Sequence, residues 1–158
     1  PVKYDEDVSE LLARVAKRRF GRVLANLLDN AEKYADGATA VTIERVTVTP
    51  DDDAEIDRAP EYTVQIGVED LGPGVPEEER ESIFDRFSRG GEGGRRATDS
   101  GVGLGLALVD EHARLHGGRV WVEERTDDQQ GSRFVVELPA ILIPPAPSPS
   151  DEKVVATK

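Results

Sequence analysis

The sequence predicts an α/β sandwich, and three observations predict it. Helical and extended stretches come in mixed order along a chain of 158 residues, the size of one ordinary domain. Residues 39–49 and 62–69 alternate β-branched with polar residues, the period-two signature of strands. Residues 18–34 carry Phe20, Val23, Leu24, Leu27, Leu28 and Ala31 at helical spacing. A chain of this length buries roughly 70% of the surface that its unfolded form exposes, so it needs no covalent staples.

In chain order, residues 1–16 carry two readings. Val8, Leu11, Leu12 and Val15 have a helical period, while residues 1–4 and 10–16 read equally as a strand pair. The helix over 18–34 and the strand over 39–49 follow, then an acidic loop over 51–60 and the strand over 62–69. Residues 76–87 open with proline and acids, a helix-start signal, and predict one or two short helices. Residues 90–100 (GGEGGRRATDS) form a Gly-rich loop with almost no apolar side chain to bury, and are expected to be mobile and functional. A helix over 102–116 is stopped by Gly117-Gly118. Strands over 119–124 and 132–138 are joined by the polar turn 126–131. Residues 139–158 hold five of the ten prolines, and everything after Ile143 is expected to be disordered.

Composition excludes several classes. The net charge of −12 argues against a nucleic-acid or anionic-membrane surface. The absence of Cys rules out disulfides and thiolate metal sites, and fits the cytosol. No run of 18 apolar residues is present to span a bilayer, and no signal peptide is visible. With no Met and Pro1 first, the chain is expected to be a fragment or a processed product.

Four constellations carry chemistry. In Asn26-Leu27-Leu28-Asp29-Asn30-Ala31-Glu32-Lys33-Tyr34, helical geometry puts Asn26, Asn30 and Lys33 within roughly 60° of one another. Asparagine is a poor helix former, so two on one stripe need a reason. One reading is a solvated face. The other is a Mg²⁺–phosphate site, because Mg²⁺ takes oxygen ligands, keeps waters and uses few protein groups beside phosphates. Asp70-Leu71-Gly72-Pro73-Gly74 follows a strand: a plain turn, or an acceptor-only carboxylate that bonds an exocyclic amine such as adenine's and repels the carbonyl of guanine. Gly101-Val102-Gly103-Leu104-Gly105-Leu106 runs into a helix whose free N–H groups attract phosphate. Its spacing is neither the Rossmann fingerprint nor a P-loop. Ile83-Phe84-Asp85-Arg86-Phe87-Ser88-Arg89 is either a small amphipathic helix or a lid with aromatic anchors and phosphate-reaching arginines.

In chain order, with residues 83–89 lying between the Asp70 and Gly101 motifs, the four span some 80 residues and resemble the N, G1, F and G2 boxes of the catalytic ATP-binding domain of bacterial sensor histidine kinases, within the gyrase-like (Bergerat) ATPase superfamily. The resemblance covers about residues 18–139, including the closing Gly131-Ser132-Arg133-Phe134. It implies an α/β (α+β) two-layer sandwich: a mixed sheet of about five strands with about three helices on one face, and a flexible ATP lid over about 71–100. It implies a domain over 1–143, with 144–158 as a Pro-rich tail. It implies ATP and Mg²⁺ as cofactors, with Asn30 on the metal, Asn26 and Lys33 on the phosphate side, Tyr34 near the base and Asp70 reading adenine. Gly72, Gly74, Gly101, Gly103 and Gly105 would shape the pocket with Leu104 and Leu106. Arg89 would stand near the γ-phosphate, with Arg86 beside it. The family often has an acidic cap before the first helix, where this chain has Ala16. It also expects strands, not a helix, in residues 1–16.

One residue separates branches of the superfamily. Gyrase-like and MutL-like ATPases, and anti-sigma serine kinases, carry Glu four residues before the metal-binding Asn. This chain has Asn26 there, and a neutral amide is no general base near pH 7. ATP is then held without efficient hydrolysis, which suits transfer to a histidine, already nucleophilic when neutral. His112 and His116 lack a phosphoacceptor pattern and read as structural. The phosphoacceptor dimerisation helices are therefore expected upstream of Pro1, with Lys158 near the natural C-terminus. The resemblance further implies a response regulator as partner and a cytoplasmic domain of a membrane-anchored sensor. The isolated domain is expected to be monomeric, with no nucleic-acid or direct membrane contact. A self-contained gyrase/MutL-like ATPase and a non-catalytic ATP-sensing module are the alternatives.

Overall fold

The computed structural model describes residues 2–4, 8, 11–48, 61–86 and 104–143. Its elements are β1 (Val2–Tyr4), β2 (Leu11–Leu12), α1 (Lys17–Ala35), β3 (Ala38–Val48) and β4 (Glu61–Asp70). Then come two single 3-10 turns (Glu77–Glu79 and Ser82–Phe84), α2 (Gly105–Leu115), β5 (Arg119–Glu123) and β6 (Arg133–Leu142). The six strands form one mixed sheet. β1 runs parallel to β3, and every other pairing, β3–β4, β4–β6, β5–β6 and β2–β6, is antiparallel. The fold is the predicted two-layer α/β sandwich, with α1 and α2 packed on one face and the 3-10 pair standing at the place of the third helix.

The first 16 residues resolve in favour of strands, and the two do not pair with each other: β1 joins β3 and β2 joins β6. The extended period explains this, because Leu11, Ala13 and Val15 are half-buried against the core while Leu12 and Arg14 between them are exposed. These two short strands bring the sheet to six rather than about five.

α1 forms as its apolar period requires. Val23, Leu27 and Ala31 are buried, with Phe20 and Leu24 partly buried beside them. Leu28, counted with that face, is instead 42% exposed. Burial of Leu27 or Val23 contributes roughly 1.5–3 kcal/mol each. Ala16 stands at the N-cap with no side-chain cap, and its N–H donates to His116 Nε2 at 3.0 Å. α2 begins at Gly105 rather than at 102, and Gly117 at φ +75 ends it. The Gly118 N–H bonds the Ala113 carbonyl and the Gly117 N–H the Arg114 carbonyl, a Schellman pattern.

Strand alternation sets up the site. Val64, Ile66 and Val68 of β4 face the helices, packed with Phe134, Val136 and Leu138 of β6. Asp70 ends β4 in the same parity as this set, while Glu69 belongs to the opposite face. That face carries charges: Arg133 pairs with Glu44 and Glu123, and Glu137 accepts from Thr63, Gln65 and Arg119. Phe84 meets Phe134 edge-on at 6.4 Å between centroids, so the near end of the expected lid is anchored on the core. Phe87, Arg89, Gly101, Gly103, the stretch 90–100, the loop 51–60 and the tail 144–158 lie outside the described residues.

Candidate nucleotide-binding site

The polar stripe of α1 lies between the start of α2 and the end of β4. At one end, a methyl added to Gly105 would lie 3.8 Å from Asn26 Oδ1, so the first residue of α2 sits beside that amide. At the other end, Gly72 packs so closely on the Ala35 side chain and the Tyr34 carbonyl that a methyl there would come within 3.0 and 3.2 Å of them. Lys33, Tyr34, Asp36, Leu71, Gly72 and Pro73 line a cleft of about 420 Å³ at this end. From Asn26 to Lys33 the helix rises about 10 Å.

Asn26 and Asn30 are half-buried, and neither amide has a hydrogen-bond partner among the described residues. Lys33 is exposed, and Tyr34 is 65% exposed. Among the described residues no group of three or more His, Cys, Asp or Glu is placed to hold a metal. A metal here would therefore rest on amide oxygen and on its ligand's own phosphates. That donor set suits Mg²⁺, and the unpartnered amides fit it.

Asp70 is 4% exposed, and its surroundings orient it. Its Oδ1 accepts from the Gly72 N–H at 2.9 Å and the Ser132 N–H at 3.2 Å, while its own N–H donates to the Ser132 carbonyl at 3.0 Å. No described residue donates to Oδ2. Gly131, at φ +143, backs the same residue so closely that a Cβ there would overlap the Asp70 carbonyl oxygen.

Sequence reasoning missed a cation behind this loop. Arg125, between β5 and β6, has a side chain only 5% exposed. Its Nη1 donates to the Asp70 carbonyl at 3.0 Å and to Thr39 Oγ1 at 2.8 Å. Its Nε and Nη2 grip both oxygens of Asp127 at 2.8 and 2.5 Å, and Glu69 lies 3.6 Å from Nη2. The hydrogen bond from Arg125 holds the Asp127 carboxyl down at about 2. An Arg two residues from an Asp was the signal available in the sequence.

Other expected residues fall as follows. Arg86 is exposed and pairs with Glu111 of α2 at 3.2 Å. Gly74 sits at φ +83 in the loop after Asp70. Leu104 is the N-cap of α2, and Leu106 is partly buried against the core. His116 Nδ1 lies 2.6 Å from the His112 carbonyl, which with Ala16 on Nε2 makes it a helix-end clamp; His112 is half-buried in α2. A second cleft of about 650 Å³, between residues 73–80 and the β5–β6 turn, is lined by Glu77, Arg80, Glu123, Glu124 and Asp128 and reaches neither asparagine. No described helix is long and apolar enough to cross a membrane.

Comparison with known proteins agrees with this geometry. Residues 16–141 match the family described as histidine kinase-, DNA gyrase B-, and HSP90-like ATPase. The histidine-protein kinase AfsQ2 of Streptomyces coelicolor is 34% identical over 85% of this chain and 22% of its own length. The sensor-type histidine kinase PrrB of Mycobacterium tuberculosis is 42% identical over 72% of this chain and 21% of its own. The chain thus spans about a fifth of these relatives. Among solved structures, the mycobacterial sensor histidine kinase MprB superposes with a TM-score of 0.61 at 25% identity, covering 90% of this chain and 81% of that one. The ATP-binding domain of PrrB does so at 0.53 and 29%, covering 89% and 80%. The chain therefore belongs to the histidine kinase-, DNA gyrase B- and HSP90-like ATPases, as a catalytic ATP-binding domain of the sensor histidine kinase type.

Proposed function

We propose that this domain binds ATP with Mg²⁺ and supplies the γ-phosphate to a histidine on dimerisation helices of the same kinase, from which a response regulator would take it. The imidazole nitrogen attacks the γ-phosphorus, the bond to the β,γ-bridging oxygen breaks, and ADP leaves. Asp70 Oδ2 accepts from the adenine amine, and Tyr34 covers the base. Asn30 holds the metal, with Asn26 and the Lys33 ammonium on the phosphates; bound Mg²⁺ offsets their charge. The backbone at Gly72, Gly74 and Gly105, with Leu104 and Leu106, walls the pocket, with Arg86 on the γ-phosphate side; the resemblance assigns Gly101 and Gly103 to the same wall and Arg89 to the γ-phosphate.

The observation that carries this reading is Asn26 beside the start of α2. A carboxylate there would activate water, whereas an amide only binds, so the bound triphosphate is kept for a nucleophile brought from outside. The test mixes this chain with the phosphoacceptor hairpin of its own protein and labelled ATP. Label transferred to histidine supports the kinase. Rapid phosphate release without the hairpin supports a self-contained ATPase, and binding with neither supports an ATP-sensing module.

A further inference from the structure

Arg125 sits in a polar turn, where a long cation ordinarily points to water, yet its side chain is 5% exposed. Burying a guanidinium is unfavourable unless its donors are matched. Here they are matched in two directions. Nε and Nη2 form a two-pronged bond with Asp127, two residues away on the same turn. Nη1 reaches across the sheet end to Thr39 Oγ1 and the Asp70 carbonyl, 86 and 55 residues distant in sequence. The planar fork of arginine makes both grips at once, which the single ammonium of lysine does not. One side chain thus ties the β5–β6 turn to the start of β3 and to the last residue of β4.

That last residue is Asp70. The N–H groups of Gly72 and Ser132 hold its Oδ1, so the direction of Oδ2 follows the main chain from Asp70 to Gly72 and at Ser132. Arg125 holds the Asp70 carbonyl from one side, and Gly131 abuts the same oxygen.

We infer that Arg125 is a positioning residue for base recognition: its fork fixes the main chain at Asp70 and thereby aims the free carboxylate oxygen at the exocyclic amine of the base. The inference rests on the reading of Asp70 as the adenine contact. Arg125 does not line the cleft beside Lys33 and Tyr34. Its loss leaves the charge of Asp70 in place and removes its orientation, so selectivity falls more than affinity for the triphosphate.

The experiment measures dissociation constants of the full 158-residue chain for ATP and for purine riboside triphosphate, which lacks the exocyclic amine, alongside thermal melts. The native chain favours ATP by about tenfold or more, the value of one charge-assisted hydrogen bond. Arg125→Gln lowers that ratio to about threefold or less while affinity for purine riboside triphosphate changes by less than about twofold, and Arg125→Lys falls between. An unchanged ratio, or equal weakening of both nucleotides, overturns the inference and leaves Arg125 as a stabilising residue only. If Arg125→Gln does not fold, Asp127→Asn loosens the fork from its outer side: a lowered ratio supports the inference and an unchanged one overturns it. A native chain with no preference for ATP overturns the reading of Asp70 itself, and the inference with it.

Discussion

Asp70 and Ser132 bind each other twice: the Asp70 N–H donates to the Ser132 carbonyl at 3.0 Å, and the Ser132 N–H donates to Asp70 Oδ1 at 3.2 Å. A carboxylate held by one oxygen presents the other in a fixed direction. The end of β4 is thereby prepared before any ligand arrives, and binding has little left to order there.

Asp70→Asn tests that arrangement. With its oxygen kept toward Gly72 and Ser132, the asparagine NH₂ would face the base and meet the adenine amine donor to donor. We expect ATP binding to weaken by about 1.5–3 kcal/mol, the range for a hydrogen bond to a charged group. GTP, which offers a carbonyl, should lose less or gain. Calorimetry with both nucleotides checks this, and equal losses would remove Asp70 from base selection.

Gly131→Ala tests the packing behind Asp70. The new Cβ would overlap the Asp70 carbonyl oxygen, which the Arg125 fork holds in place. Overpacking of this kind costs typically 1–3 kcal/mol. The φ of +143 adds strain for a residue with a side chain. A thermal melt should show a clear drop in midpoint and nucleotide affinity should fall with it; an unchanged melt would show that the turn has room to shift.

Asn30→Ala tests the metal reading. Loss of the amide oxygen should weaken ATP binding in Mg²⁺ far more than in EDTA. Equal loss in both conditions would place Asn30 elsewhere. In parallel turnover and labelling assays the unmodified chain should release phosphate very slowly and carry no label on His112 or on His116, whose two ring nitrogens clamp the end of α2. Stable phosphohistidine on either would contradict that.

The parts of the site legible in the sequence are those set by local periodicity. Asn26, Asn30 and Lys33 share a stripe because one helix repeats every 3.6 residues, and Asp70 was readable as a strand end because β-branched alternation stops there. Residues 1–16 were ambiguous because their strands are three and two residues long, too short for a period to show. Leu28 looked like core because its type fits an apolar face, yet it sits at that face's edge, where tertiary packing decides. The reach of Arg125 to Asp70 was not legible for a different reason. Its partners Thr39 and Asp70 are distant in sequence, and a charged residue in a polar turn reads as solvated.

Acidification tests the charged face of the sheet. The Asp127 carboxyl is held at about 2 by its bond to Arg125. For Glu137, burial pushes upward, but hydrogen bonds from Gln65, Arg119 and Thr63 outweigh it and leave the carboxyl below its ordinary range. A carboxyl lowered in the folded state stabilises the fold above its unfolded value, near pH 4, and loses that contribution as pH falls through its folded value. A second effect opposes this at first. From pH 7 to the isoelectric region near 4.6 the chain sheds its net charge of −12, which relieves self-repulsion. Stability should therefore hold or rise slightly down to about pH 5 and fall steeply below about pH 4. Arg119→Gln removes one of the bonds that keep Glu137 low, so the variant should be less stable at pH 7 and lose less of its stability below about pH 4, the two curves converging in acid. Thermal melts of both proteins across pH 7 to 3 measure the two curves. Superimposable profiles would show that the Arg119–Glu137 pair, although 2.7 Å long, contributes nothing measurable to the fold.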